Sequence, residues 1–150
     1  MTPRWECPDA LHTELTDGTE RSFVFRRHAY RCWYDDGFAL VDRDGVRWRP
    51  GVAPGETWTS DGASIPHPVD WLIPALDGLR YRKAAMGIHD PAYRHGRLQI
   101  RVPRSRRWRM YPVDRALADS LLQQGVQASG GWAITRGVYW FGVRLPAWAT

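Results

Sequence analysis

Asparagine is absent from this chain, and lysine occurs once, at Lys83, although Lys and Arg together number 21. Both residues are specified by A-rich codons, so their scarcity points to a GC-rich coding sequence in which arginine serves as the generic surface cation. The formal charge of +5 therefore bears on solubility and non-specific association, and by itself names no partner. Cysteine is almost as sparse: Cys7 and Cys32 are too few for a disulfide framework and too isolated for a zinc site built from paired C-x-x-C spacing. Both are expected to be structural thiols. No stretch approaches the roughly 18 apolar residues of a membrane span, and Met1 to Glu6 lacks the apolar run of a secretory signal. A soluble product made in the cytoplasm, without a transmembrane segment, is the expectation.

What is present fits one domain, 1–150. A chain of 150 residues, 43% hydrophobic, can bury a core without metal or disulfide staples. Nine tryptophans are spread along it, among them Trp33, Trp48, Trp58, Trp108 and Trp132. Such dispersal favours core and interface anchoring over a single stacking platform.

The patterning predicts an α+β fold: an N-terminal antiparallel β meander, mainly β over 1–65, then a mainly α part over 66–150 with a β-hairpin wing at about 97–110. Ser22 to Tyr34, Phe38 to Asp42 and Val46 to Arg49 read as strands separated by Asp35-Asp36-Gly37 and Arg43-Asp44-Gly45 turns. Pro50-Gly51 and Pro54-Gly55 punctuate the path to a loop at Asp61-Gly62. A helix is expected from about Leu79 to Tyr93, with Tyr81, Ala85, His89 and Ala92 on one face and Pro91 loosening it beside the Gly87 carbonyl. Tyr111-Pro112 is expected to open a second helix that carries Asp119 and ends near Gly125. An aromatic helix from Gly131 to about Leu145 would close the core.

Chemistry concentrates in Ile88-His89-Asp90-x-x-Tyr93. Neighbouring residues on a helix diverge by about 100°, so His89 and Asp90 must serve different partners. The expected division gives His89 the role of general base on a water, with Asp119 orienting it and Tyr93 in support. Asp90 and Asp61 would then ligate a divalent cation, calcium in preference to zinc. His67, His89 and His95 lack the same-face spacing of a zinc pair. Ser64, His89 and Asp119 could form a triad on paper, but no G-x-S-x-G elbow surrounds Ser64.

Two resemblances follow. The order of loop, His-Asp-x-x-Tyr helix, β wing and aspartate-bearing helix resembles secreted phospholipase A2, though the paired cysteines of those enzymes are absent and Pro91 follows the aspartate. That arrangement implies a calcium-assisted histidine base. A second string covers most of the chain: Val52-Ala53-Pro54-Gly55, Trp58-Thr59-Ser60-Asp61-Gly62-Ala63-Ser64-Ile65-Pro66, Ala84-Ala85, His89-Asp90-x-x-Tyr93, Ala118-Asp119, then Tyr139 to Trp148. It resembles the uncharacterised phage and prophage family called domain of unknown function 1353. The resemblance implies a phage or prophage origin, synthesis in the host cytoplasm and a potential place in the virion.

Two functions from different classes follow. One is a phage accessory hydrolase, metal-assisted, acting on an ester or amide of the cell envelope. The other is a non-catalytic virion or tail accessory protein binding other phage subunits. His89 on a small apolar face also fits a buried structural His-Asp network, and Asp61 and Ser64 also fit as turn caps. The basic stretch Arg94 to Arg115 could meet nucleic-acid phosphates, anionic lipid or a neighbouring subunit, and the arginine bias of the whole chain makes a solvated hairpin the simpler account.

Overall fold

The computed structural model describes residues 1–21, 26–60 and 82–130. Among the described residues, eight strands and two helices make up an α+β fold. They are β1 Arg4–Glu6, β2 Leu11–Arg21, β3 Arg26–Tyr34, β4 Ala39–Val41, β5 Arg47–Pro50, β6 Trp58–Ser60, helix α1 over 82–95, β7 Arg97–Arg101, β8 Arg109–Pro112 and helix α2 Arg115–Ala128. A single 3-10 turn, Pro8–Ala10, links β1 to β2.

All pairings are antiparallel, but the strands do not run as a simple meander. Strands β1, β4, β5, β7 and β8 form one sheet in that order, and β2, β3 and β6 form another. The chain therefore leaves the first sheet after β1, builds most of the second, and returns at β4. The expected hairpin is present, and its first strand pairs along β5 from Arg47↔Arg101 to Pro50↔Leu98, so it extends a sheet. Its returning strand lies at Arg109–Pro112, later than the expected 107–110. Tyr111 and Pro112 thus belong to a strand, where Pro is tolerated because β8 lies at the sheet's edge. Asp114 is the residue that starts α2, its side chain accepting from the Leu117 backbone N–H at 2.8 Å.

A further correction concerns Gly125, which lies inside α2 and does not end it. A Cβ added there would sit 2.7 Å from the Ala84 Cβ and 3.3 Å from the Trp5 ring. Glycine is required at this position by the close approach of α1 and α2. The aromatic helix expected over 131–145 and the loop at 61–66 lie outside the described residues.

Gln99 joins the two sheets. Its amide nitrogen on β7 donates to the Tyr34 hydroxyl of β3 at 3.0 Å and to the carbonyls of Pro50 at 2.9 Å and Val52 at 2.7 Å. Its carbonyl oxygen accepts from Arg49 Nη2 at 2.8 Å and Nε at 3.1 Å. Arg49 in turn reaches Asp36 at 2.9 Å. Tyr34 packs in turn against Phe38 and Trp58, with ring centroids 6.2 and 6.3 Å away, and all three are buried. Buried donors and acceptors that lose a partner cost roughly 1–3 kcal/mol each. Gln99→Leu, close in volume but unable to pair, is expected to lower unfolding free energy by about 2–4 kcal/mol in urea titration; a loss under ~1 kcal/mol would show the network to be dispensable.

Candidate functional site

Helix α1 is not uniform. It runs as α-helix over Arg82–Ala84, as a π-helical turn over Ala85–His89, and as α-helix again over Asp90–His95. Pro91 supplies the local reason: it lacks an N–H, and in a regular helix its ring would collide with the carbonyl of Gly87. The widened turn relieves this, with the Asp90 N–H bonding to the Ala85 carbonyl, five residues back. The Met86 carbonyl, which a regular helix would pair with Asp90, instead accepts from the Trp58 indole at 3.0 Å.

Strand β6 grips the helix a second time. Trp58 and Ser60 are alternate residues on the buried side of β6, and the Ser60 hydroxyl donates to Asp90 Oδ2 at 2.5 Å. Two residues of strand rise about 7 Å, and four residues of helix rise about 6 Å. The match lets one strand hold both the Met86 carbonyl and the Asp90 carboxylate.

His89 points the other way. Its Nε2 lies 3.1 Å from Asp119 Oδ1, with the histidine side chain 14% exposed and the aspartate side chain 0% exposed. The Tyr93 hydroxyl donates to the same oxygen at 3.3 Å, and the rings of His89 and Tyr93 lie 4.5 Å apart. Arg115, one turn before Asp119 on α2, brings its Nε to 3.9 Å from Oδ2. A buried carboxylate is tolerated only when donors and positive charge compensate its lost hydration, and these three side chains contribute to that. Burial, then the charge of Asp119, pushes the Tyr93 phenol above its usual range, with Arg115 opposing. Tyr93 therefore stays a donor.

The structure brings His89, Tyr93 and Asp119 together as expected, and it gives Asp90 different partners. Asp90 Oδ2 is shared between Ser60 and Arg94, the latter at 3.9 Å. Asp61, the other expected cation ligand, and Ser64 lie outside the described residues. Among the described residues no three His, Cys, Asp or Glu side chains converge as a metal site. His95 is exposed at the end of α1.

Three participants had not been assigned roles: Ser60, Arg94 and Arg115. The alternation Trp58, Thr59, Ser60 carried the first, since a core-facing Trp58 turns Ser60 inward as well. The i, i+4 spacing of Arg94 to Asp90 and of Arg115 to Asp119 carried the others. Of the two thiols, only Cys32 is a core group, while Cys7 is exposed. Cys32 pairs across the sheet with Trp58 and lies within reach of the field of Asp90.

The motif string over the second half of the chain is decisive for kinship. The family model described as "Protein of unknown function (DUF1353)" matches residues 51–143. The chain belongs to that family. No curated protein and no solved structure matches it. In DUF1353 terms, the matched segment spans β6, both helices and the β7–β8 hairpin, and so contains both halves of the His89–Asp119 pair.

Burial, and secondarily the Asp90 charge, pushes the Cys32 thiol up to about 12, from an ordinary 9.0, with Arg94 opposing. A thiol whose folded value is raised keeps its proton where the unfolded chain has lost it. Its contribution to stability is therefore whole below pH 9.0 and is lost as pH climbs towards about 12. Denaturant titrations across that window should show Cys32→Ala losing less stability with rising pH than the parent chain, and Cys7→Ala losing as much. Equal slopes for all three would contradict the assignment.

Proposed function

We propose that this protein is a hydrolase in which His89 acts as general base on water. The observation that carries the reading is the polarity of the pair: a fully buried carboxylate, Asp119, holds the inner nitrogen of an imidazole that reaches the surface. With Nε2 engaged by Asp119, that nitrogen carries the proton of the neutral ring, and the imidazole takes a second proton from water. Asp119 fixes this tautomer and stabilises the imidazolium formed as water attacks. Tyr93, hydrogen-bonded to the same carboxylate oxygen and packed against the ring, restrains both partners. As the bond to the carbonyl carbon breaks, His89 returns the proton to the leaving alcohol or amine, and the carboxylic acid keeps the oxygen and the remaining hydrogen of the water.

The phage or prophage origin implied by the motif string makes an ester or amide of the bacterial envelope the substrate class to test first. Purified envelope fragments and chromogenic esters provide the assay. A positioned histidine base is worth about 10²–10⁴ in rate, so His89→Ala should lose that much and Asp119→Asn a comparable amount through the wrong tautomer. His95→Ala, altered at an exposed site on the same helix, should be unaffected. Activity surviving in a folded His89→Ala variant would end the reading.

A cation role for Asp90 and Asp61, with calcium preferred, belongs to the same proposal. Calcium bound only to the native state raises its apparent melting temperature. The expected result is a calcium-dependent rise that Asp90→Asn abolishes; no rise at millimolar calcium would leave His89 working without a resident ion.

A further inference from the structure

Between Asp90 and Asp114 the chain has seven arginines and no carboxylate. Most of them fall on the β7–β8 hairpin. Leu98 and Ile100 face the core, so alternation along β7 puts Arg97 and Arg101 on the opposite face with Gln99. Arg104, Arg106 and Arg107 are exposed in the turn, and Arg109 is exposed at the start of β8. Among the described residues none of these six arginines is paired with a carboxylate, whereas Arg47 and Arg49, one strand inward, each have an acidic partner. Codon bias explains why the cations are arginines. It does not place so many of them together: the segment between Asp90 and Asp114 holds seven of the chain's cations with no carboxylate to balance them.

Two further features bear on what the hairpin meets. Arg104 adopts a left-handed conformation, φ 70°, which strains a side-chain-bearing residue and sets the shape of the basic tip. Trp108, the hairpin's indole, is covered by the guanidinium groups of Arg49 at 4.2 Å and Arg101 at 5.0 Å. Tyr111 meets the Trp48 ring at 5.7 Å in an edge contact. The aromatic rings are thus engaged by the protein's own side chains and do not form a platform for unstacked bases. Nor does the hairpin offer a bilayer an inserting patch: Met110 pairs with Gln99 and Tyr111 with Leu98, so these two exposed apolar residues project to opposite faces.

We propose that the β7–β8 hairpin binds double-stranded nucleic acid through its phosphate backbone, without reading sequence. Guanidinium groups with no carboxylate partner among the described residues suit phosphate oxygens in geometry and charge, and the turn beyond the last β5–β7 pair, Arg47↔Arg101, leaves Arg104, Arg106 and Arg107 exposed together at the end of the sheet. The surface is separate in sequence from His89, Tyr93 and Asp119, and its function does not rest on theirs.

The test is fluorescence anisotropy of the full chain with a labelled duplex of about 20 base pairs, titrated from about 50 to 200 mM salt. Expected are micromolar binding at the low end, indifference to duplex sequence, and a steep fall with salt. The combined variant Arg104→Gln, Arg106→Gln, Arg107→Gln should bind at least tenfold more weakly, with a log–log salt slope shallower by roughly 2.7, at about 0.9 per phosphate contact. The corresponding triple lysine variant should keep most of the binding, and His89→Ala should bind as the parent does. No duplex binding at about 50 mM salt, an unchanged affinity in the folded glutamine variant, or tighter binding to phosphatidylserine vesicles or single strands than to duplex would each overturn the proposal.

Discussion

A carboxylate with no solvent exposure is the costliest group in this fold, and Asp119 is such a group. Its position dictates much of what surrounds it. The imidazole of His89, the phenol of Tyr93 and the guanidinium of Arg115 converge on its two oxygens, and all must arrive from elements held at the right separation. Aspartate has a single methylene, so α1 and α2 must run close. Closeness is supplied at the other end of the helix pair, where Gly125 rests on Ala84 without a side chain between them. Packing at one end thereby sets hydrogen-bond reach at the other.

The widened turn in α1 solves a second problem. His89 and Asp90 are consecutive, and each needs its own surroundings: a buried anion for one, a strand hydroxyl for the other. Pro91 removes a helix hydrogen bond, and the displaced Met86 carbonyl becomes the acceptor for Trp58. What a proline costs the helix is thus recovered as a cross-link to β6, which also delivers Ser60. A local irregularity, a strand anchor and the placing of a carboxylate are one structural event.

Much of this was legible in the sequence. Helical spacing placed His89 apart from Asp90, and the next helix offered Asp119 as its partner. The pattern also located the β-rich start and the hairpin after α1. The strand Leu11–Arg21 was not legible, because its threonines and charged residues alternate weakly and its pairing with β3 shifts register between Leu15 and Thr19. Tyr111-Pro112 read as a helix start because proline suits that position, while an edge strand tolerates it equally. Gly125 read as a stop signal for a similar reason: the sequence reports the absence of a side chain, and only the neighbouring helix says why. The knot around Gln99 links residues 34, 50, 52 and 99, separations over which no periodicity operates.

That knot has a consequence for the order in which the molecule can be made. Strand β5 is complete by Pro50, yet its outer edge is paired only when β7 follows α1, and Gln99 then adds a second acceptor for Arg49, beside Asp36, and a second donor to the Val52 carbonyl, beside the Tyr34 hydroxyl. During synthesis from the N-terminus, β5 must wait with an open edge until β7, about fifty residues further on, has emerged. Folding dominated by such distant closures is slow compared with that of locally connected helical proteins. The contact between the sheets that Arg49 begins over the Tyr34 ring is therefore completed late, when Gln99 reaches both side chains.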